Sequence, residues 1–140
     1  MELLATENDS VTLSFTVLEL LALKNSLNEV CHGLNMPNFL CSIGIECVDG
    51  KALLEEFFHL HLSINSPVES TERFVQRISI HQDYVTVSLT STVLRVLANS
   101  LNEVYIRLDK REFLTRMRVN RDDVFTLMQE ISQLHNTLTK

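Results

Sequence analysis

The sequence predicts an α+β fold: one domain of two related units, each a β-hairpin, a helix, a short segment and a closing helix, set about a pseudo-twofold axis. Three observations carry this. The hexapeptide NSLNEV occurs at Asn25–Val30 and again at Asn99–Val104, an offset of 74 residues. Each copy lies on one apolar stripe, Leu20, Leu23, Leu27, Val30, Leu34 and then Leu94, Leu97, Leu101, Val104, Leu108. Steps of three and four are the seam of an amphipathic helix. Ahead of each helix, two short apolar-alternating segments flank a turn-forming tetrapeptide, the pattern of a hairpin. At this offset the halves align without gaps from Asp9 to His135.

The elements follow in order. LLAT (3–6) and VTLSF (11–15) flank ENDS, with Val11, Leu13 and Phe15 alternating inward. In the second copy VQRISI (75–80) and VTVSL (85–89) flank HQDY. Asp9 and Asp83 fall at matching turn positions, where an Asp side chain can close the turn. Thr16 with Glu19 forms a capping box; Thr90 repeats the cap, but Val93 replaces the glutamate. The first long helix is expected to reach about Cys31 and to end at Gly33 in a left-handed conformation. The second runs into Arg107–Lys110, where basic residues suit the negative helix end. Pro37 bars continuation. Phe39 and Leu40 match Phe113 and Leu114 in a segment too short to assign to strand or helical turn. Asp49 and Asn120 are plausible N-caps for the closing helices, which carry Leu53, Leu54, Phe57, Leu60 and Leu127, Met128, Ile131, Leu134. The domain is expected to span residues 1–140, with repeats 1–62 and 75–140 joined by a polar linker 63–74 that contains SINSPVESTE. A two-stranded hairpin cannot stand alone. Two docked units can form one sheet, or two packed hairpins, covered by four helices.

Composition narrows the function classes. A hydrophobic fraction of 45% in 140 residues supports a core without disulfides. Three cysteines, Cys31, Cys41 and Cys47, match no zinc spacing and read as reduced thiols. The acidic start MELLATEND is unlike a secretory leader, and the longest apolar run is far shorter than a membrane span. A net charge of −6 disfavours nucleic acid. The charge is uneven. Residues 1–66 hold two lysines against nine Asp/Glu, a net −7, and residues 67–140 hold ten Lys/Arg against nine, a net +1. Either the halves attract each other, or the first offers an acidic face to a basic partner. Arg116, Arg118 and Arg121 form the one basic spot; it could meet Glu46 and Asp49, or an acidic partner.

Candidate chemistry is sparse. Asn25, Asn28 and Glu29 recur as Asn99, Asn102 and Glu103. They could be a paired recognition site, but hydrogen bonds from these side chains to the adjoining hairpin backbone are the expectation. His59 and His61 are two apart and on different helix faces, unlike the i, i+4 pair of a helical metal site. Cys31 and His32 are neighbours and do not face each other on a helix. Cys41 and Cys47 read as packing residues. Neither a glycine-rich phosphate loop nor a nucleophile elbow is present in the sequence. No enzyme activity, metal or cofactor is expected.

The run LxxLxNxLNEVCxG, here Leu20, Leu23, Asn25, Leu27, Asn28, Glu29, Val30, Cys31 and Gly33, resembles a motif of small bacterial proteins of unassigned function. Those resemble one half of this chain, and the resemblance covers most of each half. Their F-x-x-R-like element is kept by Phe113 and Arg116, whereas Phe39 is followed by Ser42. The resemblance implies no catalytic residues. A tandem, acidic form is similar to cytosolic immunity proteins of bacterial toxin systems, including contact-dependent growth inhibition. The expected function is therefore a cytoplasmic immunity protein that occludes a basic nuclease toxin, with Glu29, Glu46, Asp49, Glu55 and Glu56 as partner contacts. The alternative is a scaffold or regulatory module acting by self-association. The partner is expected to be a protein, not nucleic acid or membrane, and the chain a monomer or homodimer.

Overall fold

The computed structural model describes residues 1–65 and 73–138. The first unit is β1 (Glu2–Glu7), β2 (Ser10–Thr16), α1 (Val17–Asn28) with a π-helical turn at Glu29–Gly33, α2 (Phe39–Ile43) and α3 (Cys47–Asn65). The second is β3 (Val75–Ile80), β4 (Tyr84–Thr90), α4 (Ser91–Arg107), α5 (Lys110–Met117) and α6 (Arg121–Leu138). The chain is α+β, built of hairpin–helix units as the pattern implied. Among the described residues no helix is long and apolar enough to cross a membrane.

The two hairpins join in one four-stranded antiparallel sheet, in the order β1-β2-β4-β3. Its central ladder carries the pseudo-twofold. Leu13 lies opposite Val87, its own counterpart at the 74-residue offset. On either side the pairs exchange: Ser10 faces Thr90, the counterpart of Thr16, and Thr16 faces Tyr84, the counterpart of Ser10. Both edge strands even break register at the same place, between Leu3 and Ala5 and between Arg77 and Ser79. Such bulges twist an edge and blunt it against further pairing.

Period-two alternation decides which face is covered. Val11, Leu13, Phe15, Val85, Val87 and Leu89 are at most 2% exposed. Thr12, Ser14 and Ser88, between them, stay half-buried on the other face. The stripes of α1 and α4 close over the apolar side. Leu20, Leu23, Leu27, Leu94, Leu97 and Leu101 are all 0% exposed, each worth about 2 kcal/mol relative to an exposed side chain. The capping box forms as read: Thr16 Oγ1 accepts from the Glu19 N–H at 3.1 Å, and Glu19 Oε1 accepts from the Thr16 N–H at 2.9 Å. Thr90 caps α4 through the Val93 N–H at 3.3 Å.

The turns do more than close hairpins. The Asp9 carbonyl accepts the Ser91 N–H at 3.0 Å, and the Asp83 carbonyl accepts the Val17 N–H at 3.3 Å. Each turn thereby satisfies one of the orphan donors at the start of the other unit's helix. The Asp9 carboxylate likewise reaches the Ser91 hydroxyl at 2.5 Å rather than closing its own turn.

Several sequence expectations shift. Gly33 is not left-handed. It ends a wide turn in which the Leu34 N–H reaches the Glu29 carbonyl at 2.6 Å, whereas α4 closes with an ordinary Leu108-to-Val104 bond at 3.0 Å. The left-handed caps lie after the short helices instead, at Gly44 (φ 108°) and its counterpart Arg118 (φ 61°). The undecided short segments are helical. Asp49 sits inside the first turn of α3, which starts two residues earlier, while Asn120 does precede α6. Residues 63–65, expected as linker, belong to α3; residues 66–72 of the expected linker lie outside the described residues.

Candidate binding surface

The first asparagine of each repeated pair is structural, but not in the way its sequence position suggested. Asn25 Nδ2 donates to the Met117 carbonyl at 2.7 Å, and Asn99 Nδ2 donates to the Ile43 carbonyl at 2.9 Å. Met117 and Ile43 are counterparts, the last residues of α5 and α2. Each long helix thus caps an orphan carbonyl at the C-terminus of the short helix from the opposite unit. The partner is not the adjoining hairpin, because the pseudo-twofold brings the far unit's short helix, rather than a strand, against this helix face.

The repeated glutamates are also consumed, by different cations. Glu29 is 7% exposed and is paired with Arg116, whose other guanidinium nitrogen lies 3.4 Å from Glu112. Glu103 is paired with Arg107 on its own helix. The counterpart of Arg107 is Gly33. A Cβ at Gly33 would press on the Glu29 carboxylate and lie 2.7 Å from Arg116 Nη2. In the first unit the glycine removes the local cation and leaves room for one from the other unit.

Of the five acids expected to contact a partner, two are therefore withdrawn from the surface. Glu29 is buried against Arg116. Glu56 is 7% exposed and faces inward. It accepts the backbone N–H groups of Arg73 (2.7 Å), Phe74 (2.8 Å) and Val75 (3.1 Å), pinning the entry to β3. Asp49 is half-buried and paired with Arg73 at 3.2 Å. Glu46 and Glu55 are exposed, Glu55 with the His59 ring 4.0 Å away. The arginine cluster is likewise divided. Arg116 serves Glu29. Arg121 lies over the Tyr105 ring at 3.7 Å and donates to the Tyr105 carbonyl at 3.1 Å. Arg118 is an exposed helix cap. The expected contact of this cluster with Glu46 and Asp49 does not form; Arg73 takes Asp49 instead.

The nucleophile and metal candidates stand apart. Burial pushes the Cys31 thiol up to about 11, with the neighbouring Cys47 adding to the rise and Lys51 opposing it. A thiol so shifted is a poor nucleophile near neutral pH. Burial, and then the Lys24 charge, hold His61 below its ordinary value. Among the described residues no three His, Cys, Asp or Glu side chains converge as metal ligands.

One feature escaped the sequence reading. Between α1 and α3 lies a groove with a cavity of about 400 Å³, lined by Lys24, Asn25, Asn28, Lys51, Leu54, Glu55 and Phe58. Lys24 Nζ sits 5.8 Å from the Phe58 ring centre, and Phe58 is 46% exposed. The signal was available in the differences between the two copies rather than in their identities. At the corresponding positions the second unit has Ala98, Asn99, Asn102, Phe125, Met128, Gln129 and Ser132. Comparisons of the chain with protein-family models, curated proteins and solved structures find no match.

Proposed function

We propose that this chain is a cytoplasmic immunity protein that binds a bacterial toxin and occludes its active cleft, the toxin being a basic nuclease. What supports the reading is the charge left over once the fold has taken its share. In the −7 half, Glu29 and Asp49 are matched by arginines and Glu56 by backbone donors. Glu2, Glu7, Glu46 and Glu55 remain exposed, with no Lys or Arg of the described residues paired to them. Unmatched surface carboxylates steer encounter with a basic partner and select against acidic ones. Glu46 and Glu55 are the retained contacts. The mechanism is steric and electrostatic: the domain covers the cleft and its carboxylates meet the cations that would otherwise hold phosphates.

The test uses the intact chain and the product of the adjacent gene, which the proposal requires to carry a basic nuclease domain. Glu46→Lys with Glu55→Lys should slow association about tenfold and flatten its salt dependence, with little change in unfolding midpoint. Unchanged affinity and an unchanged salt slope would remove the proposal.

A second reading, self-association, is favoured by the side chains of β1, whose bulge blunts strand pairing but leaves its apolar residues uncovered. This edge strand is exposed along all six residues and includes Leu3 and Leu4 at 48% and 49%. Sedimentation velocity separates the two. A concentration-dependent dimer lost on Leu3→Lys supports self-association, and a monomer that binds the nuclease supports occlusion.

A further inference from the structure

We infer that the α1–α3 groove is a binding site for a small amphiphilic anion, an apolar or aromatic body carrying one carboxylate or phosphate. The inference goes beyond toxin binding and does not depend on it. The internal repeat supplies the argument, since the second unit builds the same helix pair and shows which residues that pair requires. Asn25 and Asn28 are kept as Asn99 and Asn102, and the first of each pair clasps the opposite unit. The rest of the lining is not kept. Lys24 and Lys51 become Ala98 and Phe125, Glu55 becomes Gln129 and Phe58 becomes Ser132. Every charge and the exposed aromatic are thus particular to the first unit, and the second unit's helix pair forms without them.

The residues themselves define the ligand. Lys24 and Lys51 are the only Lys or Arg among residues 1–66, and both line this one groove. Among the described residues no carboxylate lies within ion-pair distance of either. With Glu55 as the sole acid in the lining, the groove carries one excess positive charge inside an otherwise acidic half. Lys24 is also half-buried, and burial holds its ammonium below the usual value. A half-buried cation whose partner is a ring face 5.8 Å away keeps part of its burial penalty, and an anion seated beside it offsets that penalty. Leu54 and the half-exposed Phe58 ring provide the apolar wall, and about 400 Å³ is room for a ligand of fused-ring size.

The experiment is an amide NMR titration of the intact protein with naphthoate, naphthyl phosphate and the neutral analogue naphthalenemethanol. One or both anions should bind with Kd on the order of 1 mM or tighter. Their shifts should centre on Lys24, Asn28, Lys51 and Phe58, and the neutral analogue should bind at least about tenfold more weakly. The tighter of the two anions assigns the headgroup. Lys24→Ala and Phe58→Ser each install the residue the other unit already carries at that place. Each should weaken binding about tenfold or more while leaving the unfolding midpoint nearly unchanged. Equal binding of the neutral analogue, shifts centred elsewhere, wild-type affinity in both variants, or no saturable binding would each overturn the inference.

Discussion

Whether the repeated asparagines serve recognition or the fold can be decided by removing them. Asn25→Ala deletes the donor to the Met117 carbonyl, and Asn99→Ala deletes the donor to Ile43. Both acceptors are backbone carbonyls of residues that are 0% exposed, while the asparagines are half-buried. A buried carbonyl left unsatisfied costs about 1–3 kcal/mol, and water that can reach the vacated edge puts the loss near the lower end, about 1 kcal/mol each. The two bonds share no partner, so the double variant should lose about 2 kcal/mol, the sum of the singles. For a chain of this length each single loss is roughly 3–4 °C in Tm. Asn25→Asp is the sharper probe. It sets a carboxylate oxygen against a carbonyl at neutral pH, so it should destabilise more than Asn25→Ala. Part of that loss should return on acidification, as the neutral carboxyl regains a donor. Urea unfolding at several pH values reads all of this. Single variants of wild-type stability that lose partner binding would show the asparagines to be recognition residues and refute the clasp.

Three further outcomes follow from particular contacts. Arg118→Gly should stabilise the chain by about 0.5–1 kcal/mol, because φ 61° is unfavourable for a side chain and free for glycine; Gly44→Ala, at φ 108° and with a new Cβ 3.2 Å from Arg95 Nε, should destabilise it by about 1 kcal/mol or more, both by chemical denaturation. Glu56→Ala should cost about 3 kcal/mol and specifically speed hydrogen exchange of the Arg73, Phe74 and Val75 amides, which donate to its carboxylate. At pH 8 the Cys31 thiol, pushed up to about 11, should alkylate far more slowly than exposed Cys41, and its rate should climb with pH until about 11; the thiolate is the reactive form and burial disfavours it. Mass spectrometry of peptides after brief iodoacetamide treatment measures the ratio.

What could be seen in the sequence, and what could not, divides along the range of the interactions. The stripe from Leu20 to Val30 and its twin from Leu94 to Val104 were legible because burial imposes a helical period on neighbouring residues. The capping box at Thr16 and Glu19 was legible for the same reason: donor and acceptor are three residues apart. Asn25 and Met117 are 92 residues apart, and Glu29 and Arg116 are 87 apart. No local pattern encodes either contact. Glu29 and Glu56 were therefore mistaken for surface acids, although their burial follows from partners that only the assembled pair of units supplies. Glu46 and Glu55 survived as exposed acids because nothing distant claims them.

Identity between the copies proved ambiguous in a way that difference did not. A residue kept in both units can be kept by the shared fold, as Asn25 with Asn99 is, or by a doubled function, and the repeat alone cannot separate the two. A residue changed between units is one that the repeated unit does not dictate, although the assembled pair can. Lys24 against Ala98 and Phe58 against Ser132 belong to this class. So does Gly33 against Arg107, but there the change has a structural partner, since Arg116 crosses over to Glu29 where its counterpart Ser42 cannot serve Glu103. The α1–α3 groove has no such compensation: among the described residues, the two cations that distinguish it meet no acid at ion-pair distance within the chain. Lys24 is half-buried, carried by one unit and omitted from the other, and it lines a groove beside an exposed ring; an anion from outside the chain would offset its burial.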